Sequence, residues 1–275
     1  MYPADFQPHR KYPLVTYIYE RLSDGLHNYV QPSETSAYNQ RHLSQAGYFV
    51  FMPDIVYDKT RNPGLNAVTC IETALKAAFE MEAAINPDKC ALMGHSWGGY
   101  QSAFLATQSD MFAAYVAGAP LTELFSMYNS YYWNSGTPDS VIFENGQGRM
   151  EVPWWEDPDA YFRNSPAHHA QNISAPILMT FGDNDGAVDW HQGQQFYSTL
   201  RRMGKEIIML VYPGENHGLA VPANRIDYAL RVRHFLDVYL KGKKPESWVT
   251  SGVPFIKLEE ERNRRAEEDR KSDGG

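Results

Sequence analysis

Gly94-His95-Ser96-Trp97-Gly98 sets a serine between glycines two residues to either side. The apolar run Cys90-Ala91-Leu92-Met93 precedes it and reads as the end of a buried strand. Gly99 to Thr107 follows and reads as a helix, with Tyr100, Phe104 and Leu105 on one side. A serine on a sharp strand-to-helix turn has a strained backbone and an exposed hydroxyl. The flanking glycines let neighbouring backbone pass without a Cβ clash. The helix N-terminus brings positive potential to the place where an oxyanion would form, with the Trp97 backbone N–H as its donor. Such a serine becomes a nucleophile when a base takes its proton and a third group orients that base. Two downstream runs end in loops with suitable residues. Pro176 to Phe181 leads into Gly182-Asp183-Asn184-Asp185-Gly186, and Glu206 to Tyr212 leads into Pro213-Gly214-Glu215-Asn216-His217-Gly218. Ser96, an aspartate at 183 or 185, and His217 would together perform acyl transfer through an acyl-enzyme. That chemistry requires no metal and no organic cofactor.

The elements that must position these residues alternate along the chain, which implies a mostly parallel sheet. Leu14 to Tyr19, Tyr48 to Met52 and Phe112 to Ala117 read as strands. Asn66 to Ala84 reads as a helix, with Val68, Ile71, Leu75, Ala78 and Phe79 at helical spacing and Asn86-Pro87-Asp88 as its stop. Asp189 to Met203 is helical, with Phe196, Leu200 and Met203 inward and Gly204 after its end. Arg225 to Leu240 is the last long helix, opened by Asn224. In parallel sheets, loops at the carboxyl ends of the strands build the sites, and all three candidate residues fall in such loops. The order serine, acid, histidine is the one found in α/β-hydrolases.

At this point the chain resembles the catalytic domain of the prolyl oligopeptidase family of serine peptidases, over roughly residues 10 to 245. The family's nucleophile motif G-x-S-x-G-G-Y is matched by Gly94, Ser96, Gly98, Gly99 and Tyr100. Its acid motif G-x-x-D-x-x-V is matched by Gly182, Asp185 and Val188, which selects Asp185 over Asp183. Its histidine motif Y-x-x-E-x-H is matched by Tyr212, Glu215 and His217. Lys11-Tyr12-Pro13-Leu14-Val15 is similar to the run before the family's oxyanion tyrosine, which makes Tyr19 its counterpart. The family follows that tyrosine with Gly-Gly-Pro or Ala-Gly-Pro. Here Glu20-Arg21-Leu22 follows, so the local turn must differ. The resemblance implies an α/β-hydrolase fold with helices on both faces of the sheet, and a peptidase acting on oligopeptides. Family members carry a β-propeller before this domain. This sequence has no room for one, and its sheet begins at the third usual strand. The chain therefore resembles the C-terminal part of a longer enzyme, and an exposed sheet edge makes self-association an expectation.

Composition agrees. The chain of 275 residues can bury one sizeable core. A net charge of −8 argues against a nucleic-acid partner. No apolar run approaches the ~18 residues of a membrane span. The first residues show no signal peptide, and the compartment stays open. Cys70 and Cys90 fall in a helical pattern and on a core strand, as free thiols rather than a disulfide. The hydrolase domain is read over 1–250. Residues 251–275 are read as a charged, disordered tail, with most residues charged from Lys257 onward.

Between Ala119-Pro120 and Ser165-Pro166 lies an aromatic-rich insertion, about 120–166, with Phe125, Tyr128, Tyr131, Tyr132, Trp133, Trp154 and Trp155. Some of these rings pack the segment onto the domain, and Tyr131 and Trp133 are the candidates to wall a substrate pocket. By resemblance, Tyr131 aligns with a pocket tyrosine of the dipeptidyl peptidases. Ser135 and Ala187 occupy positions where those enzymes have a second tyrosine and an asparagine. His168 and His169 have no partners at metal-ligand spacing. His191 follows the acid loop, His95 reads as packing, and Glu215 as a brace for the histidine loop. Two other functions share these features: a carboxylesterase using the same residues, and a weakly catalytic domain acting in binding or assembly.

Overall fold

The computed structural model describes residues 1–58, 60–253, 255–257, 259, 260 and 263. It separates into two compact units, Met1–Gly242 and Lys243–Gly275. Gly242 adopts a left-handed conformation (φ 69°) and ends the last long helix there. The second unit contains a short helix, Ser247–Thr250, and a 3-10 turn, Phe255–Lys257. Most of the tail read as disordered, residues 251–275, lies outside the described residues.

The first unit is built on β1 (Tyr12–Tyr17), β2 (Phe49–Phe51), β3 (Ile85–His95), β4 (Ala114–Gly118), the short pair β5 (Tyr131–Tyr132) and β6 (Thr137–Pro138), β7 (Ile177–Gly182) and β8 (Ile207–Tyr212). Its helices are α1 (Gln40–Gln45), α2 (Pro63–Met81), α3 (Trp97–Gln108), α4 (Leu124–Tyr128), α5 (Ser140–Asn145), α6 (Pro158–Arg163), α7 (His191–Arg202) and α8 (Pro222–Lys241). A six-stranded sheet runs in the order β2-β1-β3-β4-β7-β8, and every pairing is parallel. Strand alternation sends Leu14, Leu92, Tyr115 and Met179 into the core that holds Ile71 and Leu75 of α2, Phe104 of α3 and Phe196 of α7. Their neighbours Val15, Ala91, Val116 and Leu178 are equally buried on the opposite face. There α8 contributes Val232, Phe235 and Leu236, and Tyr48 donates to Asp237 across 2.7 Å. Burial on both faces is what a parallel sheet requires.

Two expectations are corrected. Helix α2 ends at Met81, before Asn86-Pro87-Asp88. That tripeptide lies within β3, where the pairing jumps from Tyr12 opposite Ile85 to Leu14 opposite Cys90. Proline has no N–H for the ladder, so the strand bulges there. Asn224 does not open α8. Pro222 is its first residue, and the Asn224 amide donates to Glu215 Oε1 (2.7 Å). The first ten residues supply no strands. They form turns, while the Met1 backbone exchanges two hydrogen bonds with Val50 on edge strand β2 (2.7 and 3.0 Å). Both cysteines are free, as expected. Among the described residues, no helix is long and apolar enough to cross a membrane.

Candidate active site

The sheet's order reverses between β1 and β3, and the loops at the carboxyl ends of the strands meet there. Ser96 occupies the junction of β3 and α3 with φ 58° and ψ −120°, a region that non-glycine residues enter only under strain. Its N–H donates to Gly118 O (2.8 Å) and its carbonyl accepts from Tyr100 N–H (2.9 Å), which hold the turn from both sides. The turn is crowded. A Cβ at Gly98 would lie 2.3 Å from Ile18 O, and one at Gly94 2.3 Å from Gly98 O. The Trp97 N–H belongs to the first turn of α3, where amides lack intrahelical acceptors. The Trp97 ring is buried, and its Nε1 donates to Tyr57 Oη (3.3 Å).

The acid loop after β7 and the histidine loop after β8 lie side by side. Asp185 has a fully buried side chain. Its Oδ1 accepts from the N–H groups of Ala187 (2.8 Å) and Val188 (3.0 Å). His217 Nδ1 lies 2.9 Å from Asp185 Oδ2 and 3.1 Å from Oδ1. Asp183 goes elsewhere: it is exposed, and its Oδ1 accepts from Gly214 N–H (2.6 Å). Glu215 is buried and accepts from Ala220 N–H (2.7 Å), Val221 N–H (3.0 Å) and Asn224. It thus ties the segment leading into α8, and the first turn of that helix through the Asn224 side chain, to the histidine loop. His95 packs its ring against that of His217 (centroids 4.8 Å apart). Burial, and then the neighbouring His217, push the His95 imidazole down to about 4, so it is neutral at neutral pH. These contacts bring His217 beside the residue preceding Ser96. Among the described residues, no hydrogen bond joins Ser96 Oγ to His217; in unliganded sites such bonds are often long.

Tyr19 lies two residues past β1, and its hydroxyl accepts from Gln147 Nε2 (3.2 Å). Glu20 has φ 47° and its carboxylate pairs with Arg149 at 2.8 Å. The Arg149 guanidinium sits 3.6 Å above the Tyr57 ring, the same tyrosine that meets Trp97. Burial, then the Glu20 charge, raise the Tyr57 hydroxyl well above its ordinary value, so it stays protonated. Gln147, Arg149 and Tyr57 carry no motif and could not be read from the sequence.

The insertion's aromatic residues divide into two groups. Tyr128, Phe143 and Tyr161 are buried, and Phe125 packs against Trp154 (4.5 Å), which ties the insertion together. Tyr131 and Trp133 are 46% and 67% exposed and pack against each other (5.2 Å). Their β5–β6 hairpin is held at the acid loop by Asn134 N–H, which donates to Gly186 O (2.9 Å). His191 is exposed and pairs with Asp189 (2.7 Å) rather than with the acid loop's Asp185. His168 and His169 turn to Glu123 and to Arg163 O. No group of residues suited to holding a metal occurs among the described residues.

Comparison with known proteins gives one picture. The chain is 27% identical to dipeptidyl-peptidase 5 of Porphyromonas gingivalis, over 87% of this chain and 35% of that protein. It is 27% identical to the acylamino-acid-releasing enzyme of Arabidopsis thaliana, over 74% of this chain and 27% of that one. It thus spans about a third or less of these relatives' lengths. The fold of Pyrococcus horikoshii acylaminoacyl peptidase matches 89% of this chain with a TM-score of 0.72 at 18% identity, and covers 39% of that structure. The architecture is the α/β-hydrolase fold. The model of the prolyl oligopeptidase family matches residues 34–243. With the parallel sheet, the strained serine turn and the paired Asp185 and His217 on the same chain, this protein belongs to the prolyl oligopeptidase family.

Proposed function

We propose that the chain is a serine peptidase domain that hydrolyses peptide bonds of oligopeptides. The observation that carries the reading is the Asp185–His217 pair in the loops beside a serine at φ 58°. His217 Nε2 takes the Ser96 proton as Ser96 Oγ attacks the peptide carbonyl carbon. Asp185 holds the proton on Nδ1 and stabilises the imidazolium. The oxyanion accepts from Trp97 N–H and from the Tyr19 hydroxyl, whose oxygen is already occupied on one side by Gln147. The tetrahedral intermediate collapses, the C–N bond breaks, and His217 returns the proton to the leaving amine. Water then repeats the cycle on the acyl-Ser96 ester and releases the acid. Tyr131 and Trp133 offer exposed rings to the substrate side chain near the scissile bond.

Ser96→Ala tests the assignment. It removes the nucleophile, and kcat on a chromogenic peptide amide falls on the order of 10⁶-fold. A fluorophosphonate probe labels the wild-type chain at Ser96. Labelling at another serine with Ser96 unmodified overturns the assignment. Ester turnover without peptide cleavage replaces the peptidase reading with a carboxylesterase.

A further inference from the structure

The side-chain amide of Asn216 joins three segments far apart in sequence. Its Oδ1 accepts from Gly186 N–H in the acid loop (2.8 Å) and from His217 N–H (2.6 Å). Its Nδ2 donates to Asn134 Oδ1 in the aromatic hairpin (2.8 Å). The ring closes because Asn134 N–H donates to Gly186 O (2.9 Å). The packing is tight enough that a Cβ at Gly186 would lie 2.4 Å from Asn134 Oδ1. An amide is the group this junction needs: the acceptor meets two N–H groups while the donor meets a carbonyl oxygen.

We propose that Asn216 is a positioning residue. It holds the histidine loop against the acid loop through its oxygen, and couples both to the hairpin bearing Tyr131 and Trp133 through its nitrogen. The inference rests on the serine peptidase reading given above. Substrate seated against the hairpin would then be registered directly to the base, because one amide bonds to both. Neither Asn134 nor Asn216 touches the reacting atoms. Their contribution is alignment, and small misalignments at such sites cost large factors in rate.

The two arms separate by mutation. Asn216→Ala removes both, and should lower kcat on peptides and the rate of fluorophosphonate labelling at Ser96 by about 10- to 100-fold. Asn216→Asp keeps the acceptor for Gly186 and His217 but loses the donor to Asn134. Asn134→Ala removes the same arm from the other side. Each should raise KM for peptides by about 3- to 10-fold, with a smaller effect on labelling and on a small activated ester that does not reach the hairpin. The Asn216→Asp, Asn134→Ala double variant should be no worse than the weaker single variant, because all three lack one bond. The proposal is overturned if Asn216→Ala keeps kcat and labelling within twofold. It is also overturned if all variants lose the same fraction on every substrate in step with a lowered Tm, which marks a merely structural role. Wild-type protein that the probe does not label overturns the serine reading itself, a result distinct from both.

Discussion

Replacing Asp185 by asparagine isolates the acid's contribution, and the structure dictates how the new amide must sit. Asp185 Oδ1 accepts from two backbone N–H groups, those of Ala187 at 2.8 Å and Val188 at 3.0 Å. An asparagine keeps both bonds only by placing its oxygen there. The opposite flip would point an NH2 group at two donors and sacrifice two buried hydrogen bonds, roughly 2 kcal/mol or more. The amide nitrogen therefore occupies the Oδ2 position, 2.9 Å from His217 Nδ1. Two donors cannot face each other, so Nδ1 becomes the acceptor and the imidazole proton moves to Nε2. In that tautomer His217 cannot accept the Ser96 proton. With the imidazolium also stripped of its counter-charge, kcat should fall by roughly 10⁴, or about 5.5 kcal/mol at 1.36 kcal/mol per decade. The side-chain volume is unchanged, so Tm should move little. Asp183→Asn is the control: the group is exposed, and its bond from Gly214 N–H survives in an amide oxygen. It should stay within about threefold of wild type in kcat. The assay is steady-state cleavage of a peptide amide with fluorophosphonate labelling in parallel. The reasoning is refuted if Asp185→Asn keeps more than a tenth of wild-type kcat while folded, or if Asp183→Asn is the more damaging change.

Two further outcomes follow from packing and burial. Gly98→Ala would force a Cβ to within 2.3 Å of Ile18 O, and Ile18 is itself pinned by its N–H to Met93 O (3.0 Å). Unfolding free energy should drop by about 3 kcal/mol and Ser96 labelling should be lost, read by urea melts and probe incorporation; a stable, fully labelled variant contradicts the crowding. Asp139 is 1% exposed and its Oδ2 has no hydrogen-bond partner among the described residues. Burial pushes its carboxyl up from 3.8 to about 7. A raised pKa means that the unfolded chain ionises first, so the stability held below pH 3.8 is lost as pH rises through 7. The gap corresponds to roughly 4 kcal/mol at most, and relaxation around the carboxylate lowers it. Asp139→Asn should therefore raise the midpoint of unfolding at pH 8 by more than at pH 4; equal shifts at both pH values refute it.

The α/β architecture was legible because the signals are local. Alternating apolar runs, and helical spacing at Ile71, Leu75, Phe196 and Leu200, mark elements whose burial is set by their own periodicity. The turn at Ser96 was legible for the same reason: glycines at 94 and 98 are needed by backbone a few residues away or by the adjacent strand. Boundaries were less so. Pro87 suggested a helix stop, yet it lies in a bulge of β3, because a proline signals a missing N–H without saying which element lacks it. The choice between Asp183 and Asp185 was open from residue type alone and closed only by the family motif. In the structure the two carboxylates diverge, one buried against His217 and the other exposed at Gly214. Gln147 on Tyr19, Arg149 on Glu20 and Asn134 on Asn216 were not legible at all. Their partners lie 128, 129 and 82 residues away. No periodicity carries such pairings. They exist only once the sheet has ordered β1, β7 and β8 and the insertion has folded over their ends. Sequence alone determined which residues could carry chemistry and which elements would bear them. Tertiary structure decided which groups hold them in place, because hydrogen bonds between distant loops are set by the closure of the fold around the strand ends.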